Sequence, residues 1–392
     1  MWRSVASNTL TLFIVVLVVA AGILAWGREA YTGPGPLTQA ICFRVERGAS
    51  LAAVSRVLAE EGAVSDARVF RVGADYSDRS EELKFGSYLI PPASSMAEVL
   101  GILTEGGQST CGREVNFRIG VAGSDVVLRE LDPATNRYRE VVKFDPSVEA
   151  VPAVYLDATN DTDLRWRVTL AEGVTSWQVV DALKRADFMT GEVAEVPAEG
   201  TLAPDSYEVE KGSDRKALLD EMAAAQIRVL GDLWAARAEG LPYDTPEEAL
   251  IMASIVEKET GIAEERKQVA SVFINRLRRG MKLQTDPTVI YGVTKGIGVL
   301  GRGLRQSELR RETPWNTYVI DGLPPTPIAN PGTLSIEAAL NPDTTDYLFF
   351  VADGSGGHAF ATTLQAHNEN VARWRAIEAQ QGTDAATGVQ GD

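Results

Sequence analysis

Residues 10–26 form a nearly continuous apolar run, LTLFIVVLVVAAGILAW. A run of this length is close to the shortest that can cross the hydrocarbon core of a bilayer as a helix. It predicts a transmembrane anchor over residues 10–27. The sequence contains no second run of this kind, so the chain after the anchor is expected to fold on one side of the membrane.

The charges that flank this run favour a cytoplasmic N-terminus. Arg3 and the α-amino group lie before the run, whereas Arg28 after it is next to Glu29. Because positive charge is retained on the cytoplasmic side, residues 1–9 are predicted to be cytoplasmic and the rest to lie outside. A cleaved signal peptide is the alternative, but Trp26-Gly-Arg-Glu lacks the small-x-small pattern of a cleavage site.

The size and charge of the chain exclude some functions. It has 392 residues, of which 45% are hydrophobic and 23% are charged. These values are typical of two or three globular domains with sizeable cores. The net charge of -16, with no runs of Lys or Arg, argues against binding to nucleic acid.

The cysteines and histidines indicate a disulfide rather than a metal site. Cys42 and Cys111 both follow the anchor, and in an oxidising compartment they would form a disulfide. Two buried free thiols are the alternative. The only histidines, His358 and His367, have no partner at a ligand-like spacing, so neither a metal nor another cofactor is predicted.

A strand, a turn and a helix follow one another twice after residue 40. In the first copy Gly48 makes the turn and Ser50 can cap the helix. Gly173 and Thr175 take the same places in the second copy. Glycine permits such a turn, and Ser or Thr is favoured as the cap of a helix. Two similar α/β modules are therefore expected.

The predicted fold class is α+β, because strand-helix modules precede a mixed C-terminal domain. The predicted division is a linker at 28–40, a first module at 41–111, an inserted β segment at 112–164, a second strand-helix module at 165–241, a C-terminal catalytic domain at 242–378 and a disordered tail at 379–392.

Two glutamates near the end of a predicted helix are the first candidates for chemistry. Thr245-Pro-Glu-Glu predicts the start of this helix, with Thr as its cap, and the helix is expected to end near Thr260. At about 100° per residue, Glu259 falls on the face that carries Ile255 and other apolar residues, and Glu257 falls opposite with Ser254. A carboxyl on the apolar face would have a raised pKa and could act as a general acid. A frayed helix end with two solvated acids is the alternative.

Several long motifs follow in a fixed order. They are ASIVEKET at 253–260, VASVFINRLRRGMKLQTDPTVIYG at 269–292, ETPWNTYVIDGLPPTPIANPG at 312–332 and YLFFVADGSGGHAF at 347–360. This part of the chain resembles the catalytic domain of the YceG-like family of endolytic murein transglycosylases. The phrase that starts at Gly200 and ends at Tyr207 resembles the entry to that domain, and the modules loosely resemble the family's LysM-like module.

The resemblance implies a lytic transglycosylase anchored in the inner membrane by one helix, with its catalytic domain in the periplasm. Such an enzyme cleaves the MurNAc–GlcNAc bond within peptidoglycan strands and leaves 1,6-anhydro-MurNAc ends. One carboxyl suffices, because the sugar's own 6-hydroxyl attacks the anomeric carbon. Glu259 is the predicted catalytic residue and Glu257 the runner-up. Terminating or trimming nascent strands is the expected role.

The polar run after this helix supplies the candidates for sugar binding. They are Gln284, Thr285, Asp286, Tyr291, Asn316, Thr317, Tyr318, Asn330 and His358. Turn chemistry, in which Asp286 caps backbone amides, is the alternative for the run from Gln284 to Asp286. Core packing is the alternative for Tyr291 and Tyr318, and His358 is expected to line the wall of the site and not to act as the base.

Two other functions remain open. Asp286 as a second carboxylate would make the protein a muramidase that hydrolyses the same bond. The repeated modules also fit a non-catalytic scaffold that binds peptidoglycan strands and peptidoglycan synthases. In each case the partner is the cell wall or the machinery that builds it.

Overall fold

A computed structural model describes residues 2–105 and 109–387. The chain divides into two compact units. The first unit comprises residues up to Asn116, Val126–Phe144 and Val148–Trp166, and the second comprises Phe117–Asp125, Asp145–Ser147 and the chain from Arg167 onwards.

The N-terminal part of the chain alternates helices with short strands. Its elements are α1 (Trp2–Thr32), β1 (Ile41–Val45), α2 (Leu51–Glu60), α3 (Ala67–Tyr76), β2 (Gly86–Ile90), α4 (Met96–Thr104), β3 (Arg113–Ile119), β4 (Ser124–Asp132), β5 (Arg137–Phe144), α5 (Ala153–Ala158) and β6 (Arg165–Leu170).

The C-terminal part is mainly helical. Its elements are α6 (Ser176–Arg185), β7 (Ser206–Val209), α7 (Arg215–Ala235), α8 (Pro246–Glu259), α9 (Arg266–Arg278), α10 (Asp286–Thr294), α11 (Gln306–Leu309), α12 (Thr333–Leu340), β8 (Phe349–Ala352), β9 (His358–Ala361) and α13 (Leu364–Thr387). The predicted mixture of α and β structure is confirmed.

Helix α1 extends beyond the predicted anchor at both ends. Its segment Thr11–Thr32 is long and apolar enough to cross a membrane. The predicted linker at 28–40 is wrong in part, because its first residues continue the helix and Leu37 is buried in the core of the first module. Alanine, arginine and glutamate are good helix formers, so Arg28-Glu-Ala30 carries the helix onward.

The first module is built on a two-stranded antiparallel sheet, in which Phe43 of β1 pairs with Tyr88 of β2. The hydroxyl of Ser50 caps α2 as predicted, by accepting a hydrogen bond from the amide of Ala53. Helices α2, α3 and α4 cover the sheet and bury a core that includes Phe70. The resemblance of this module to LysM remains a prediction.

The predicted disulfide between Cys42 and Cys111 is present, with 5.7 Å between the two Cα atoms. It joins β1 to the segment that leads into β3. The amide of Cys111 also donates a hydrogen bond of 3.1 Å to the carbonyl of Ser87 in β2. The bridge therefore fastens the end of the first module to its sheet.

A five-stranded sheet has the order β5-β4-β3-β6-β7. The segment predicted as an insertion supplies β3, β4 and β5, and the segment predicted as a second module supplies β6 and β7. The two segments therefore form one sheet. Thr175 caps α6 as predicted, in a reciprocal capping box with Gln178.

The C-terminal core is built around α8. Thr245 caps this helix, with Pro246 at its first position, as predicted. Glu248 completes a capping box with Thr245, which was not predicted from the sequence. Helices α9 and α12 pack on α8, and together they bury a core that includes Met252, Phe273 and Ile336.

The C-terminus differs from the disordered tail predicted at 379–392. Helix α13 continues to Thr387, because the alanines and glutamines of this stretch favour a helix. Residues 388–392 lie outside the described part of the chain.

Candidate active site

Glu259 is the last residue of α8, and its side chain is half-buried. The sequence predicted one apolar face for this helix, with Ser254 on a polar face. That prediction is wrong for Ser254, which is completely buried and accepts a hydrogen bond of 3.0 Å from the amide of Ile328. Protein surrounds the body of α8, and after the acids of its first turn the next charged groups are in its last turn.

The hydroxyl of Thr285 donates a hydrogen bond to Oε1 of Glu259. Thr285 is almost completely buried, and its amide donates to the hydroxyl of Thr317 at 3.1 Å. The Thr285 residue that donates to the carboxyl is therefore held in place by Thr317 and not by solvent.

Burial raises the pKa of Glu259 above its ordinary value. The hydrogen bond from Thr285 lowers the pKa, and so do the interactions with His358 and Arg276. The negative charge of Asp286 raises it further. A carboxyl held in this way retains its proton at a higher pH than a solvated glutamic acid. That property is what a general acid requires.

The loop before α10 presents a side chain to solvent beside this carboxyl. Gln284 is exposed, and its backbone has a φ of 49°, in the left-handed region that residues with a Cβ rarely adopt. Its amide donates to the carbonyl of Thr317 at 3.1 Å. Strained positions persist only where the surrounding structure holds them in place, and they are frequent at functional sites.

Asp286 is exposed at the start of α10, where its Oδ1 accepts a hydrogen bond of 2.7 Å from the hydroxyl of Tyr318. Burial raises the pKa of the Tyr318 phenol, and its bond to Asp286 adds to this effect. The phenol therefore keeps its proton and remains a donor. The pair presents one carboxylate oxygen and one aromatic ring beside Glu259.

His358, at the start of β9, is held by Glu265. Its Nδ1 lies 2.7 Å from Oε2 of Glu265, and its amide donates to Oε1 of the same carboxylate at 2.9 Å. The ring packs edge-on against Phe350. With Nδ1 engaged by the carboxylate, Nε2 is the nitrogen that can meet another group.

Arg276 supports the site from the inside. Its Nε donates to the carbonyl of Leu348 at 2.7 Å, and its Nη1 donates to the carbonyl of Leu283. The guanidinium thus ties α9 to the loop that carries Gln284. Its charge also favours the ionised form of Glu259.

Three of the predicted sugar-binding residues are structural instead. Asn316, Thr317 and Asn330 are completely buried. The amide nitrogen of Asn316 donates to three backbone carbonyls, at distances of 2.7 to 3.2 Å. Asn330 donates to the carbonyl of Val174 at 2.9 Å. These side chains satisfy backbone groups in turns, so they hold the walls of the site and do not present themselves to a ligand.

Tyr291 lies further along α10, and its hydroxyl donates to Oε2 of Glu199 at 3.1 Å. Burial raises the pKa of Glu199, although the amide of Ser176 donates to its Oε1 at 2.7 Å. The tyrosine ring also contacts the indole of Trp315, at 5.7 Å between ring centres. A second desolvated carboxyl therefore lies next to this predicted binding residue.

Glu257 has different partners from Glu259. Its Oε2 accepts a hydrogen bond of 3.1 Å from the amide of Gly332, at the start of α12. The neighbouring carboxyl of Glu172 has a raised pKa because it is partly buried and lies near Glu257. These contacts describe a joint between helices.

The sequence did not indicate a role for Glu199 or Glu265, or the hydrogen bonds that Arg276 donates to backbone carbonyls inside the protein. The phrase that resembles the family's entry to the domain begins at Gly200, one residue after Glu199. Glu265 lies in the short 3-10 turn Ala263–Glu265. An acid at such a position is typical of a solvated residue at the start of a helix. For Glu199 and Glu265 the available signal was an acidic residue close to one of the motifs.

The comparisons with known proteins agree on one family. A family model described as the YceG-like family matches residues 143–373. A protein of Bacillus subtilis (strain 168) named "Endolytic murein transglycosylase" is 38% identical over 175 residues, which cover 44% of this chain and 47% of that protein. A protein of the same name from Streptococcus pneumoniae (strain D39) is 27% identical over 336 residues, covering 84% and 57%.

The matches span about half the length of these curated relatives. A crystal structure of a yceG-like protein from Listeria monocytogenes covers 84% of this chain and 98% of its own, at 24% identity and a TM-score of 0.45. The family model covers more than half of the 392 residues, and the chain therefore belongs to the YceG-like family.

Proposed function

We propose that this protein is a membrane-anchored endolytic lytic transglycosylase. It cleaves the β-1,4 bond between MurNAc and GlcNAc within peptidoglycan strands and leaves 1,6-anhydro-MurNAc ends. Two relatives named as endolytic murein transglycosylases support this activity. Terminating or trimming nascent strands is the corresponding role in the cell.

The observation that carries the proposal is the desolvated carboxyl of Glu259. Its pKa is raised by burial, and its Oε1 accepts a hydrogen bond from the buried hydroxyl of Thr285. It is thus a carboxyl that keeps its proton to a higher pH than a solvated glutamic acid does, in a fixed orientation. Protonating the oxygen of a glycosidic bond requires such a group.

The reaction needs only this one carboxyl. Glu259 first donates its proton to the bridging oxygen, and the bond between that oxygen and the anomeric carbon of MurNAc breaks. The 6-hydroxyl of the same MurNAc then forms a bond to the anomeric carbon and gives its proton to the Glu259 carboxylate. The carboxyl regains its proton, one glycosidic bond is exchanged for another, and no water is consumed.

The surrounding groups can position the sugars. Gln284 offers an exposed amide, and Asp286 with Tyr318 offers an acceptor beside an aromatic ring. His358, held by Glu265, offers its second ring nitrogen. Hydrogen bonds from such groups to sugar hydroxyls would set the 6-hydroxyl close to the anomeric carbon, which is where orientation contributes most to rate.

The N-terminal part of the chain supports the proposed anchor and compartment. Helix α1 is apolar enough to span a bilayer, and the disulfide between Cys42 and Cys111 is typical of an oxidising compartment. We place the protein in the inner membrane with a single span and its catalytic domain in the periplasm. Glycan strands of peptidoglycan are its substrate.

A muramidase is the second candidate, and Asp286 is the observation that favours it. Its negative charge raises the pKa of Glu259, so two carboxyls lie near the same point, as in glycosidases that hydrolyse. The hydrogen bond that Oδ1 of Asp286 accepts from Tyr318 fits a residue that positions the sugar, and the transglycosylase reaction needs no second carboxylate.

The chemical form of the product separates the two candidates. Purified peptidoglycan is digested with the full-length protein, treated with borohydride and analysed by mass. A transglycosylase leaves anhydro termini, which borohydride does not change and which are lighter than reducing termini by one water. Reducing termini as the main product would support hydrolysis and overturn the proposal.

A further inference from the structure

We infer that the first module lies directly on the surface of the bilayer that α1 spans, with Val72 and Tyr76 of α3 in the lipid headgroup layer. The partner is therefore the membrane itself, and the inference rests on the proposed anchoring of α1. Three features of the first unit support it: an unbroken helix, a packed junction and an exposed apolar patch.

Helix α1 joins the membrane segment to the module without a break. Gly27, Ala30 and Tyr31 are partly buried, and their spacing places them on one face of the helix. Tyr31 packs against the core of the module, and α1 contacts both α3 and α4. The contact thus begins immediately after Trp26, the last residue of the apolar run.

The chain after α1 is also fixed to the module. The amide of Gly35 donates to the carbonyl of Ala93 at 3.0 Å, and the amide of Ala93 donates to the carbonyl of Leu37 at 2.9 Å. Leu37 itself is buried in the module's core. The segment that the sequence predicted as a linker therefore holds the module close to the end of the apolar run.

The height of the junction follows from helix geometry. Tyr31 comes five residues after Trp26, which corresponds to about 7.5 Å along the helix axis. The headgroup layer on one side of a bilayer is roughly 5–8 Å thick. With Trp26 at the edge of the hydrocarbon, the contact between Tyr31 and α3 lies at the level of the headgroups.

An apolar patch lies beside this contact. Tyr31 sits directly over Gly73 of α3, where an added Cβ would overlap the tyrosine ring. Val72 and Tyr76 flank Gly73, share one face of α3 and are 67% and 94% exposed. Tyrosine is enriched at membrane interfaces because its ring is apolar and its hydroxyl is polar.

The test measures the depth of position 76 in the membrane. The native cysteines form a disulfide, so Tyr76→Cys introduces one reactive thiol for an environment-sensitive fluorophore. The full-length protein is reconstituted in phosphatidylcholine vesicles that contain lipids with a nitroxide on the headgroup. The matched control is Val57→Cys, an exposed valine of α2, which packs on α3.

The label at position 76 should be quenched several-fold more strongly than the label at position 57, and its emission should shift to the blue. Equal quenching of both labels, in protein that stays in the vesicles after a carbonate wash, would overturn the docking of the module and leave the anchor standing. Release of the protein by carbonate would overturn the anchor and the docking together.

A second variant tests the junction. Gly73→Ala favours the helical state of α3 but displaces the Tyr31 ring. In this background, the quenching of the label at position 76 should fall towards that of the control while the module stays folded. Unchanged quenching would show that the contact between Tyr31 and Gly73 does not hold the module at the membrane, which contradicts the inference.

Discussion

Thr285 and Asp286 are adjacent in sequence but act on the carboxyl of Glu259 in opposite directions. The Thr285 hydroxyl donates to Oε1 of Glu259 and lowers its pKa, whereas the negative charge of Asp286 raises it. Burial exceeds the other influences, so the pKa of Glu259 stays above its ordinary value. The turn before α10 therefore tunes the group that we propose as the acid.

This opposition predicts two opposite changes in the pH profile. The active form of Glu259 is protonated, so kcat/KM should fall as pH rises through its raised pKa. Thr285→Val removes a hydrogen bond that favours the charged form, and the fall should move to higher pH. Asp286→Asn removes a like charge, and the fall should move to lower pH. Profiles of both variants measured on the same peptidoglycan would contradict the assignment if they shifted together.

The stability of the protein should also depend on Glu259. A carboxyl whose pKa is raised by folding favours the folded state most when it is protonated, so its contribution is lost as pH rises from the unfolded value through the folded one. Glu259→Gln does not titrate. The variant should therefore gain thermal stability relative to the wild type as pH rises from about 4.3, the ordinary value for glutamate, through the raised pKa of Glu259 in the folded protein. A difference in Tm that does not change with pH would contradict the pKa shift.

Two polar residues from the same predicted set should behave differently. Asn316→Ala leaves three carbonyls without their donor and should destabilise the protein by roughly 1–3 kcal/mol or more. Gln284→Ala removes an exposed amide and should raise KM without lowering Tm. Thermal unfolding and kinetics of both variants measure this contrast. A stable Asn316→Ala variant with a raised KM would show that this asparagine binds the sugar after all.

The disulfide should stabilise the first module through the loop it closes. Cys42 and Cys111 are 69 residues apart, and closing a loop of this length is worth about 4 kcal/mol in the chain-entropy model. The variant with both cysteines replaced by serine should unfold at a lower denaturant concentration. Unfolding of the wild type under reducing conditions gives the matched measurement. An unchanged midpoint in both experiments would exclude this role.

Local signals in the sequence predicted the caps Ser50, Thr175 and Thr245, because each depends on a residue type and its neighbours. The disulfide was predicted because the sequence has only two cysteines and both follow the anchor. Periodicity placed Glu259 on the buried side of its helix. It could not place Ser254, because the segment that meets its hydroxyl, at Ile328, lies far away in sequence. Caps and turns are local, whereas burial is set by contacts that no short pattern contains.

The candidate site shows the same limit. Asn316 and Gln284 are both amides in turn-rich sequence, yet one is buried under backbone carbonyls and the other faces solvent. Composition cannot distinguish them, because the fold decides which amide reaches the surface. Glu199 was missed for a related reason: the segment that carries it is far from α10 in sequence, and only the fold brings it to Tyr291.

The most direct test compares the rates at which Glu259→Gln and Glu257→Gln release anhydro termini from purified peptidoglycan. Glutamine preserves the shape of each side chain and its acceptor oxygen, so Thr285 and the amide of Gly332 keep their partners. The Glu259→Gln variant should be slower than the wild type by about 10²–10⁴-fold, while the Glu257→Gln variant should stay close to it. An active Glu259→Gln variant beside an inactive Glu257→Gln variant would contradict the account.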